Sequence, residues 1–551
     1  MKLSFYGACQ TVTGSNYLLE TNKIKLLIDC GLFQGSKAIK AMNYNEFGYR
    51  PEEIDYLLLT HAHIDHSGRI PLLYKKGFTG SVLCTKATKG LCEIMLPDSA
   101  HIQESNAEYK NRKRKRAGEA LLEPLYTMDD AVSCLNSFQG VQYNTVIELS
   151  DEIKVRYRDA GHILGSACIE VWVTENDKTT KIIFSGDLGK KNTPIIKDPF
   201  QFEETDFLIM ESTYGNKFHE FHENSTEKMF YEIEQTLKNK GTVIIPSFAV
   251  GRTQEMIYAF NKIESIKEKW NAIKKVPVYV DSPLAISATE VFKQNMDSFD
   301  DEAKKYILEG DNPLEFDNLI YTRTTDESKE INFNDSSKII ISSSGMCDAG
   351  RIKHHLKHNL WKENNTVLFV GYQAEGTLGR LLVDGAKQVK IFGETIDVRA
   401  KIVMIDGFSG HGDRTDLDQF IESFKKKPEK IFLVHGEIDQ INGFSQRIDE
   451  KFKIQTIIPE LGQEFSIGSE NQLNKVVGTE GKIRINHDAR ITLMNYASKL
   501  KDKMHDMSEI VSYDIINKLD DDSIKKIISQ YKKIDNEVDD LVKILERTSN
   551  E

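Results

Sequence analysis

Three histidines and one aspartate lie close together, directly after an apolar segment. His61, His63, Asp65 and His66 follow the segment Ile54–Thr60. In an extended chain, residues two apart point the same way, so His61 and His63 can hold one metal ion. Asp65 and His66 then face a second position. A lone histidine is usually structural, but this grouping of imidazoles and a carboxylate is typical of a metal site.

Other ligand-type side chains also follow apolar segments, and they are Asp29, His162, Asp187, Glu211, His411 and His435. Imidazole and carboxylate ligands suit zinc, and an unfilled coordination position leaves room for water. A carboxylate can bridge two ions, and paired ions about 3.5–4 Å apart suit an in-line displacement at phosphorus. These residue types therefore favour hydrolysis at a two-metal centre.

The elements that must position these side chains change in pattern along the chain. Short strand-like segments alternate with turns in the first 205 residues or so. From about Phe207, strands alternate with helical segments such as Thr253–Ile263, which is typical of a parallel α/β domain with ligands at the carboxyl ends of its strands. Beyond Gly468, apolar residues between Ile524 and Leu545 recur at helical spacing. That stripe predicts a helix that packs on the body or on a second subunit.

The motifs together resemble the metallo-β-lactamase superfamily and, within it, the β-CASP RNA-processing nucleases. The run H-x-H-x-D-H at His61–His66, followed by His162 and Asp187, carries the first resemblance. Six dispersed phrases in order carry the second, over residues 1 to about 465: Leu96-Pro-Asp-Ser-Ala-His101, Glu211-Ser-Thr-Tyr-Gly215, Pro246-Ser-Phe-Ala-Val-Gly-Arg252, Ser343-Ser-Gly-Met346, Gly407-Phe-Ser-Gly-His411 and Leu433-Val-His-Gly-Glu437.

The resemblance implies an α/β fold with an αββα metallo-β-lactamase sandwich, formed by residues 1–205 and 396–467. A parallel α/β β-CASP domain, residues 206–395, is expected to be inserted between the two halves. A mainly helical C-terminal extension is expected over residues 468–551. The active site should lie in the cleft between the two domains, where ligand sites commonly form.

The resemblance also implies roles for individual residues. His61, His63 and His162 would hold a first zinc ion, Asp65, His66 and His435 would hold a second, and Asp187 would bridge them. Asp29 would orient ligands rather than bind metal. His411 would protonate the departing 3′-oxygen, and Glu211 would hold its ring. His435 favours RNA, since DNA-processing relatives usually carry an apolar residue at its position.

Contacts with the substrate are expected in the β-CASP part. Ser343, Ser344 and Gly345 lie between a predicted strand and helix, where backbone N–H groups can bind a phosphate. Arg252 and His355 are further candidates. The basic run Lys110–Arg116 either neutralises phosphates or is a solvated helix.

Composition sets limits on the partners. The 551 residues carry 72 Lys+Arg and 84 Asp+Glu, a net charge of −12, which excludes a uniformly basic nucleic-acid coat but not a local basic groove. The seven cysteines form no C-x-x-C pair and are expected to be reduced. No apolar run is long enough to span a bilayer, and no secretory leader is evident. We therefore expect a cytoplasmic protein.

The function expected from these patterns is a ribonuclease with two zinc ions that hydrolyses phosphodiester bonds of single-stranded RNA, by internal or 5′-terminal cutting. It would leave 5′-phosphate and 3′-hydroxyl ends. The alternatives are a small-molecule metallo-hydrolase, a DNA nuclease and a non-catalytic RNA-binding subunit. A homodimer is one expected role for the C-terminal extension.

Overall fold

The computed structural model describes residues 1–219, 222–265, 269–371, 373, 376–405, 407–467 and 474–475. These residues lie in one compact unit, Met1–Glu480. The predicted C-terminal extension, 468–551, falls outside the described residues apart from one two-residue strand. No helix in the described part of the chain is long and apolar enough to cross a membrane.

The strands, in chain order, are β1 (Lys2–Phe5), β2 (Tyr17–Glu20), β3 (Lys25–Ile28), β4 (Tyr56–Leu58), β5 (Ser81–Thr85), β6 (Phe138–Val141), β7 (Val146–Glu148), β8 (Ile153–Asp159), β9 (Ala167–Glu175), β10 (Lys178–Phe184), β11 (Phe207–Glu211), β12 (Val243–Pro246), β13 (Val278–Val280), β14 (Leu319–Tyr321), β15 (Ile339–Ser342), β16 (Thr366–Phe369), β17 (Gln388–Ile391), β18 (Glu394–Asp397), β19 (Lys401–Met404), β20 (Lys430–Val434), β21 (Gln455–Ile457), β22 (Glu464–Ser466) and β23 (Asn474–Lys475).

The α-helices are α1 (Lys37–Ala41), α2 (Ile64–Ser67), α3 (Ile70–Lys75), α4 (Lys86–Ala117), α5 (Met128–Cys134), α6 (His222–Lys238), α7 (Arg252–Ser265), α8 (Pro283–Gln294), α9 (Asp301–Leu308), α10 (Thr325–Phe333), α11 (Ile352–Asn359), α12 (Leu378–Val383), α13 (Arg414–Glu422) and α14 (Ile438–Phe452). Short 3₁₀ turns occupy Met42–Tyr44, Pro51–Glu53, Leu135–Ser137, Ile273–Lys275 and Met296–Ser298.

Two sheets pack face to face to form a sandwich. The first has the strand order β23-β22-β1-β2-β3-β4-β5-β6, and the second has the order β21-β20-β11-β10-β9-β8-β7. Apolar side chains that alternate along the strands fill the space between them. Phe5 stacks on Phe432 with ring centroids 5.4 Å apart, and Tyr17 stacks on Phe184 at 6.4 Å. These contacts join strands of the first sheet to strands of the second.

Helices cover the outer faces of the sandwich. Leu27 and Leu57 of the first sheet share an apolar core with Leu73 and Leu91 of α3 and α4. On the second sheet, apolar residues of α13 and α14 form the covering core, and these are Leu417, Phe420, Ile421, Ile441, Phe444 and Ile448. The layer order is therefore αββα, as the resemblance implies.

The third large sheet is parallel, with the strand order β14-β13-β15-β12-β16-β19. Both of its faces are covered, as parallel sheets require. Val243 and Ile245 of β12 pack with Met256 and Ile257 of α7, whereas Ile244 between them packs on the opposite face. This is the inserted α/β domain, so the fold class is confirmed.

Two strands lie on the other side of the boundaries predicted at residues 205 and 396. β11, expected in the inserted domain, pairs parallel with β10 and β20 in the sandwich. β19, expected in the sandwich, pairs parallel with β16 in the inserted domain. A buried apolar run fits either sheet equally well, so its partner cannot be read from the run itself.

Candidate metal centre

The first sheet brings the N-terminal candidates together. β3 and β4 are parallel neighbours, with Ile28 opposite Leu58, so the loops that follow them leave the same edge. Asp29 follows β3, while His61, His63, Asp65 and His66 follow β4 and continue into α2. The Asp29 carboxylate joins the two loops, since it accepts hydrogen bonds from Thr60 N at 2.8 Å and Thr60 Oγ1 at 2.9 Å.

The second sheet delivers the remaining candidates to the same place. β10, β11 and β20 run parallel, and Asp187, Glu211 and His435 lie at or just beyond their carboxyl ends. Glu211 is registered opposite Val434, which places it beside His435. Asp29 and His435 both have positive φ angles, of 59° and 47°. Positive φ angles are uncommon for residues other than glycine, although aspartate and histidine adopt them more readily than most, and strained backbone of this kind clusters at functional sites.

One set of donor atoms comes from His61, His63 and His162. Nε2 of His61 and Nε2 of His162 each lie 3.1 Å from Nδ1 of His63. In a tetrahedral site with Zn–N bonds of about 2.0–2.1 Å, neighbouring nitrogens are roughly 3.3 Å apart. Nδ1 of His162 faces the carbonyl oxygen of Gly410 at 3.0 Å, so a donated N–H there leaves Nε2 as the ligand atom. The spacing therefore fits one small cation.

A second set comes from Asp65, His66 and His435. Nε2 of His66 and Nε2 of His435 are 3.3 Å apart, and Oδ2 of Asp65 lies 3.5 Å from Nε2 of His435. Nδ1 of His66 is 2.7 Å from Oδ2 of Asp29, and Nδ1 of His435 is 3.1 Å from Oγ1 of Thr213. Nε2 of each ring therefore lies toward the common centre, and Nδ1 of His435 also lies 3.5 Å from Oδ1 of Asp187.

Asp187 lies between the two sets, and each of its oxygens faces one of them. Oδ2 is 3.5 Å from His61 Nε2 and 3.7 Å from His162 Nε2, whereas Oδ1 is 3.2 Å from His66 Nε2. Oδ1 is buried and makes no hydrogen bond to any described residue. A buried carboxylate oxygen without a hydrogen-bond donor is costly, and a cation bound between it and the imidazole nitrogens would satisfy it. This orphaned atom and the donor sets fit two metal ions that share Asp187.

Burial controls the protonation of the first set. It lowers the pKa of His61 and His162 well below the usual range, and that of His63 to about 4. These rings are therefore neutral near pH 7, which is the form that binds a metal.

His411 and Glu211 form a pair beside Asp187. Nδ1 of His411 is 3.1 Å from Oε1 of Glu211, and its Nε2 is 3.9 Å from Oδ2 of Asp187. Glu211 is buried and also accepts from the N–H of Leu188 at 2.7 Å. Burial alone would lower the pKa of His411, but the carboxylates of Glu211 and Asp187 raise it to about 9. About a fifth of the His411 side chain is exposed, so its ring is accessible from the surface of the protein.

The predicted substrate contacts divide into two groups. Ser343 and Ser344 are partly exposed in the loop after β15, and Gly345 follows them. Arg252 and His355 are buried instead. Arg252 forms an ion pair with Glu255, and Nε2 of His355 lies 2.6 Å from Oδ2 of Asp281.

This burial corrects the expectation that His355 contacts RNA. Its ring has no exposed surface, and its second nitrogen lies 3.0 Å from Oδ1 of Asn332. Asp281 also binds Arg351 at 2.6 Å, so the histidine belongs to a polar network that ties α11 to the end of β13. Spacing along the helix does not reveal which face is covered.

Several supporting groups were not singled out from the sequence. Thr60 and Thr213 hold ligand residues, and Lys190 Nζ donates to the carbonyl oxygen of Gly407 at the start of the loop that carries His411. Each lies within four residues of a predicted site residue in the chain. That closeness is the only sign of their role in the sequence. It is a weak sign, because a threonine or lysine near a motif is common.

Comparisons with known proteins agree with this architecture. Three family models match the chain: the metallo-beta-lactamase superfamily over residues 10–101, the Beta-Casp domain over residues 253–382, and the Zn-dependent metallo-hydrolase RNA specificity domain over residues 395–459. Their order along the chain is that of the two sandwich halves and the insert.

Three curated relatives extend the match over most of the chain. Ribonuclease TTHA0252 of Thermus thermophilus is 32% identical over 441 residues, covering 80% of this chain and 94% of that protein. An RNase J-like protein of Methanocaldococcus jannaschii is 34% identical over 467 residues, covering 84% and 98%. Transcription termination factor FttA of the same organism is 32% identical over 471 residues, covering 83% and 70%. The resemblance seen in the motifs is confirmed, and the chain belongs to the β-CASP family of metal-dependent nucleases within the metallo-β-lactamase superfamily.

Proposed function

We propose that this protein is a zinc-dependent ribonuclease that hydrolyses phosphodiester bonds of single-stranded RNA and leaves 5′-phosphate and 3′-hydroxyl ends. The observation that carries the proposal is the position of Asp187. One of its oxygens faces three imidazole nitrogens, and the other faces a second donor set. The His411–Glu211 pair lies beside it.

The proposed ligands are the two donor sets described above, with Asp187 shared between them. When bound, two zinc ions would supply activation of a water molecule and neutralise the charge that develops at phosphorus. Asp29 touches neither donor set except through His66, so we assign it an orienting role. Four of the proposed ligands are histidines whose second ring nitrogen has a hydrogen-bond partner, and these are His61, His66, His162 and His435.

His411 is proposed as the general acid for the departing 3′-oxygen. The Glu211 carboxylate lies at Nδ1 of His411, so Nε2 is the atom that faces the centre. Glu211 itself is held by the backbone N–H groups of Leu188 and Thr213. The carboxylate therefore fixes the ring and stabilises its protonated form, which must give up its proton as the bond breaks.

Single-stranded RNA is the proposed substrate because the family models include an RNA specificity domain and the chain carries histidine at position 435. We propose that the loop Ser343–Gly345 binds a phosphate of the substrate. Arg252, in its buried ion pair with Glu255, is proposed to act from behind the cleft surface rather than by direct contact.

The alternatives predict different outcomes. A small-molecule metallo-hydrolase of the superfamily would not need the inserted domain or its Ser343–Gly345 loop to bind its substrate. A DNA nuclease would cut DNA in preference to RNA. A non-catalytic subunit would bind RNA but leave it intact. All seven proposed ligand positions carry ligand-type residues, which argues against this alternative; they are His61, His63, Asp65, His66, His162, Asp187 and His435.

The test is incubation of the full-length protein with RNA of defined sequence, labelled at the 5′ end in one sample and at the 3′ end in another. Single-stranded DNA of the same sequence and RNA with chelator serve as controls. The expected result is RNA cleavage that chelator abolishes and zinc restores. The two product ladders separate internal cutting from directional cutting. Intact RNA in a fully zinc-loaded sample would overturn the proposal.

We also propose a cytoplasmic location and a homodimer in which the extension 468–551 contributes to the interface. The support for the homodimer is the apolar stripe at helical spacing between Ile524 and Leu545 in the sequence. Light scattering of the full chain over a range of concentrations tests the dimer, and a constant monomer mass would contradict it.

A further inference from the structure

Phe248 is an exposed aromatic side chain in an otherwise buried loop. About 42% of Phe248 is exposed, whereas its neighbours Ser247, Ala249 and Val250 are each exposed by 9% or less. The loop follows β12, so it lies at the carboxyl edge of the parallel sheet, where ligands of such sheets bind. A single exposed apolar residue is ordinary on a protein surface. The surroundings of this one are therefore what matter.

The backbone of the loop is firmly held. The carbonyl oxygen of Phe248 accepts hydrogen bonds from Thr253 N at 3.2 Å and from Thr253 Oγ1 at 2.7 Å. Ser247 N donates to the carbonyl oxygen of Ser342 at 3.0 Å. The aromatic ring is thus presented from a rigid base rather than from a flexible loop, which reduces the entropy lost when a ligand binds to it.

One glycine makes room for an edge of the ring, and a second glycine lies beside that edge. A Cβ atom at Gly345 would lie 3.0 Å from Cδ2 and 3.1 Å from Cε2 of Phe248, closer than real Cβ atoms usually approach. A Cβ atom at Gly371 would lie 3.9 Å from Cε2. The amide of Gln373 donates to the carbonyl oxygens of both glycines, at 3.0 and 3.1 Å. The ring is therefore seated by its edge, and the exposed fraction belongs to the remainder.

The other end of the same loop lies close to a neighbour of a proposed zinc ligand. A Cβ atom at Gly251 would lie 3.2 Å from Cγ2 of Ile163, the residue that follows His162. The loop that carries Phe248 therefore extends from the Ser343–Gly345 loop, beside which the ring lies, to this neighbour of His162. RNA that ran from the cleaved phosphate toward the Ser343–Gly345 loop would follow it.

We propose that Phe248 is a stacking platform for one nucleobase of the RNA near the scissile phosphate. The inference rests on the proposed ribonuclease function and specifies how the substrate is held. Stacking on an aromatic ring tolerates any base, because every base has a π-face, so this contact would favour single-stranded nucleic acid without a sequence preference. Phe248 positions the substrate and takes no part in the chemical step.

The first experiment uses the full-length holoenzyme and a series of RNAs in which one abasic site is moved through the sequence. For the wild type, kcat/KM should fall roughly 5- to 150-fold when the abasic site occupies the stacked position. Phe248→Ala should show a similar loss on intact RNA and no further loss with that abasic RNA. Phe248→Trp should retain activity within a few fold, while Phe248→Leu, which keeps an apolar side chain without a π-face, should not.

Phe333→Ala is the matched control. Phe333 is 77% exposed in the same domain, but it ends α10 ahead of β15, at the opposite edge of the sheet. It should cleave all the RNAs as the wild type does. The inference would be overturned if the loss caused by Phe248→Ala and the loss caused by the abasic site multiplied in combination. Full activity of Phe248→Ala would also overturn it.

A binding measurement separates this inference from the proposed function. RNA that carries 2-aminopurine at the stacked position is mixed with protein in chelator, and its fluorescence is followed. The wild type and Phe248→Trp should quench it, and Phe248→Ala should bind without that quenching. Quenching without cleavage in zinc would overturn the ribonuclease and leave the platform standing. Cleavage without position-specific quenching would overturn the platform alone, and absence of binding together with intact RNA in zinc would overturn both.

Discussion

Oδ2 of Asp29 lies 2.7 Å from Nδ1 of His66, while Oδ1 of the same carboxylate accepts the N–H of Thr60 at 2.8 Å. The carboxylate, in the loop after β3, thus holds both the backbone and a ring of the segment that follows β4. Because Nδ1 donates to Asp29, Nε2 of His66 carries the lone pair that faces Asp187 and His435. Asp29 therefore selects the tautomer of His66, a proposed metal ligand, although Asp29 itself is not proposed to bind the metal.

Asp29→Asn should weaken zinc binding at the second site by roughly 10–100-fold and leave the first site unchanged. The amide can still accept from Thr60, but it offers an N–H to His66 Nδ1 and so favours the tautomer with a proton on Nε2. Zinc retained after dialysis against graded chelator gives the measurement. Asp55→Asn is the control, since Asp55 caps the opposite ends of the same two strands by accepting from Lys25 N. Equal retention of both ions in Asp29→Asn would contradict this role.

His411→Ala should slow RNA cleavage by roughly 10²–10⁴-fold, the range expected for loss of a general acid, with zinc content unchanged. The sharper test is an RNA with sulfur in place of the bridging 3′-oxygen at the cut site. Sulfur leaves without protonation, so the variant should cleave this RNA at close to the wild-type rate. The exposed residue His101 supplies the control, His101→Ala. An equal defect on both RNAs would show that His411 acts in some other way.

Asp187→Ala should lose bound zinc together with activity, because its two oxygens face different donor sets. The carboxylate is buried among imidazoles, so we expect the loss to affect both ions rather than one. Elemental analysis of the purified variant, with circular dichroism to check that it is folded, provides the measurement. Full zinc occupancy in a folded variant would refute the shared ligand.

The sequence predicts the local part of the centre well. His61, His63, Asp65 and His66 are close in the chain, and a strand followed by a turn must bring them together whatever the rest of the fold does. The αββα layers and the inserted domain were implied by the resemblance to the β-CASP family, which the motifs carry by their order along the chain.

What the sequence does not record is partner choice between distant segments. Glu211 and His435 meet because β11 lies parallel to β20, yet the apolar run of β11 would equally suit the inserted sheet. His355 shows the same limit for a side chain, since a histidine on a helix reveals neither burial nor its bond to Asp281. Such facts depend on register and packing, which no local pattern contains.

The stability of Asp159→Asn relative to the wild type should be greater at pH 8 than at pH 5.5. Asp159 ends β8, three residues before His162, and its Oδ1 accepts the N–H of Gly161 at 3.0 Å. Burial raises the pKa of Asp159 to about 7, whereas an unfolded aspartate has a pKa near 3.9. Between these values the folded state binds more protons than the unfolded state, so this carboxyl lowers wild-type stability as the pH rises. Asparagine keeps the acceptor and carries no charge.

The free energy of unfolding of Asp159→Asn minus that of the wild type should therefore increase between pH 5.5 and pH 8, by about 1–2 kcal/mol. Urea unfolding of both proteins in chelator measures it without interference from bound metal. If the difference for Asp159→Asn stays constant across this range, the carboxyl is already ionised in the folded protein at pH 5.5, and burial does not control its protonation.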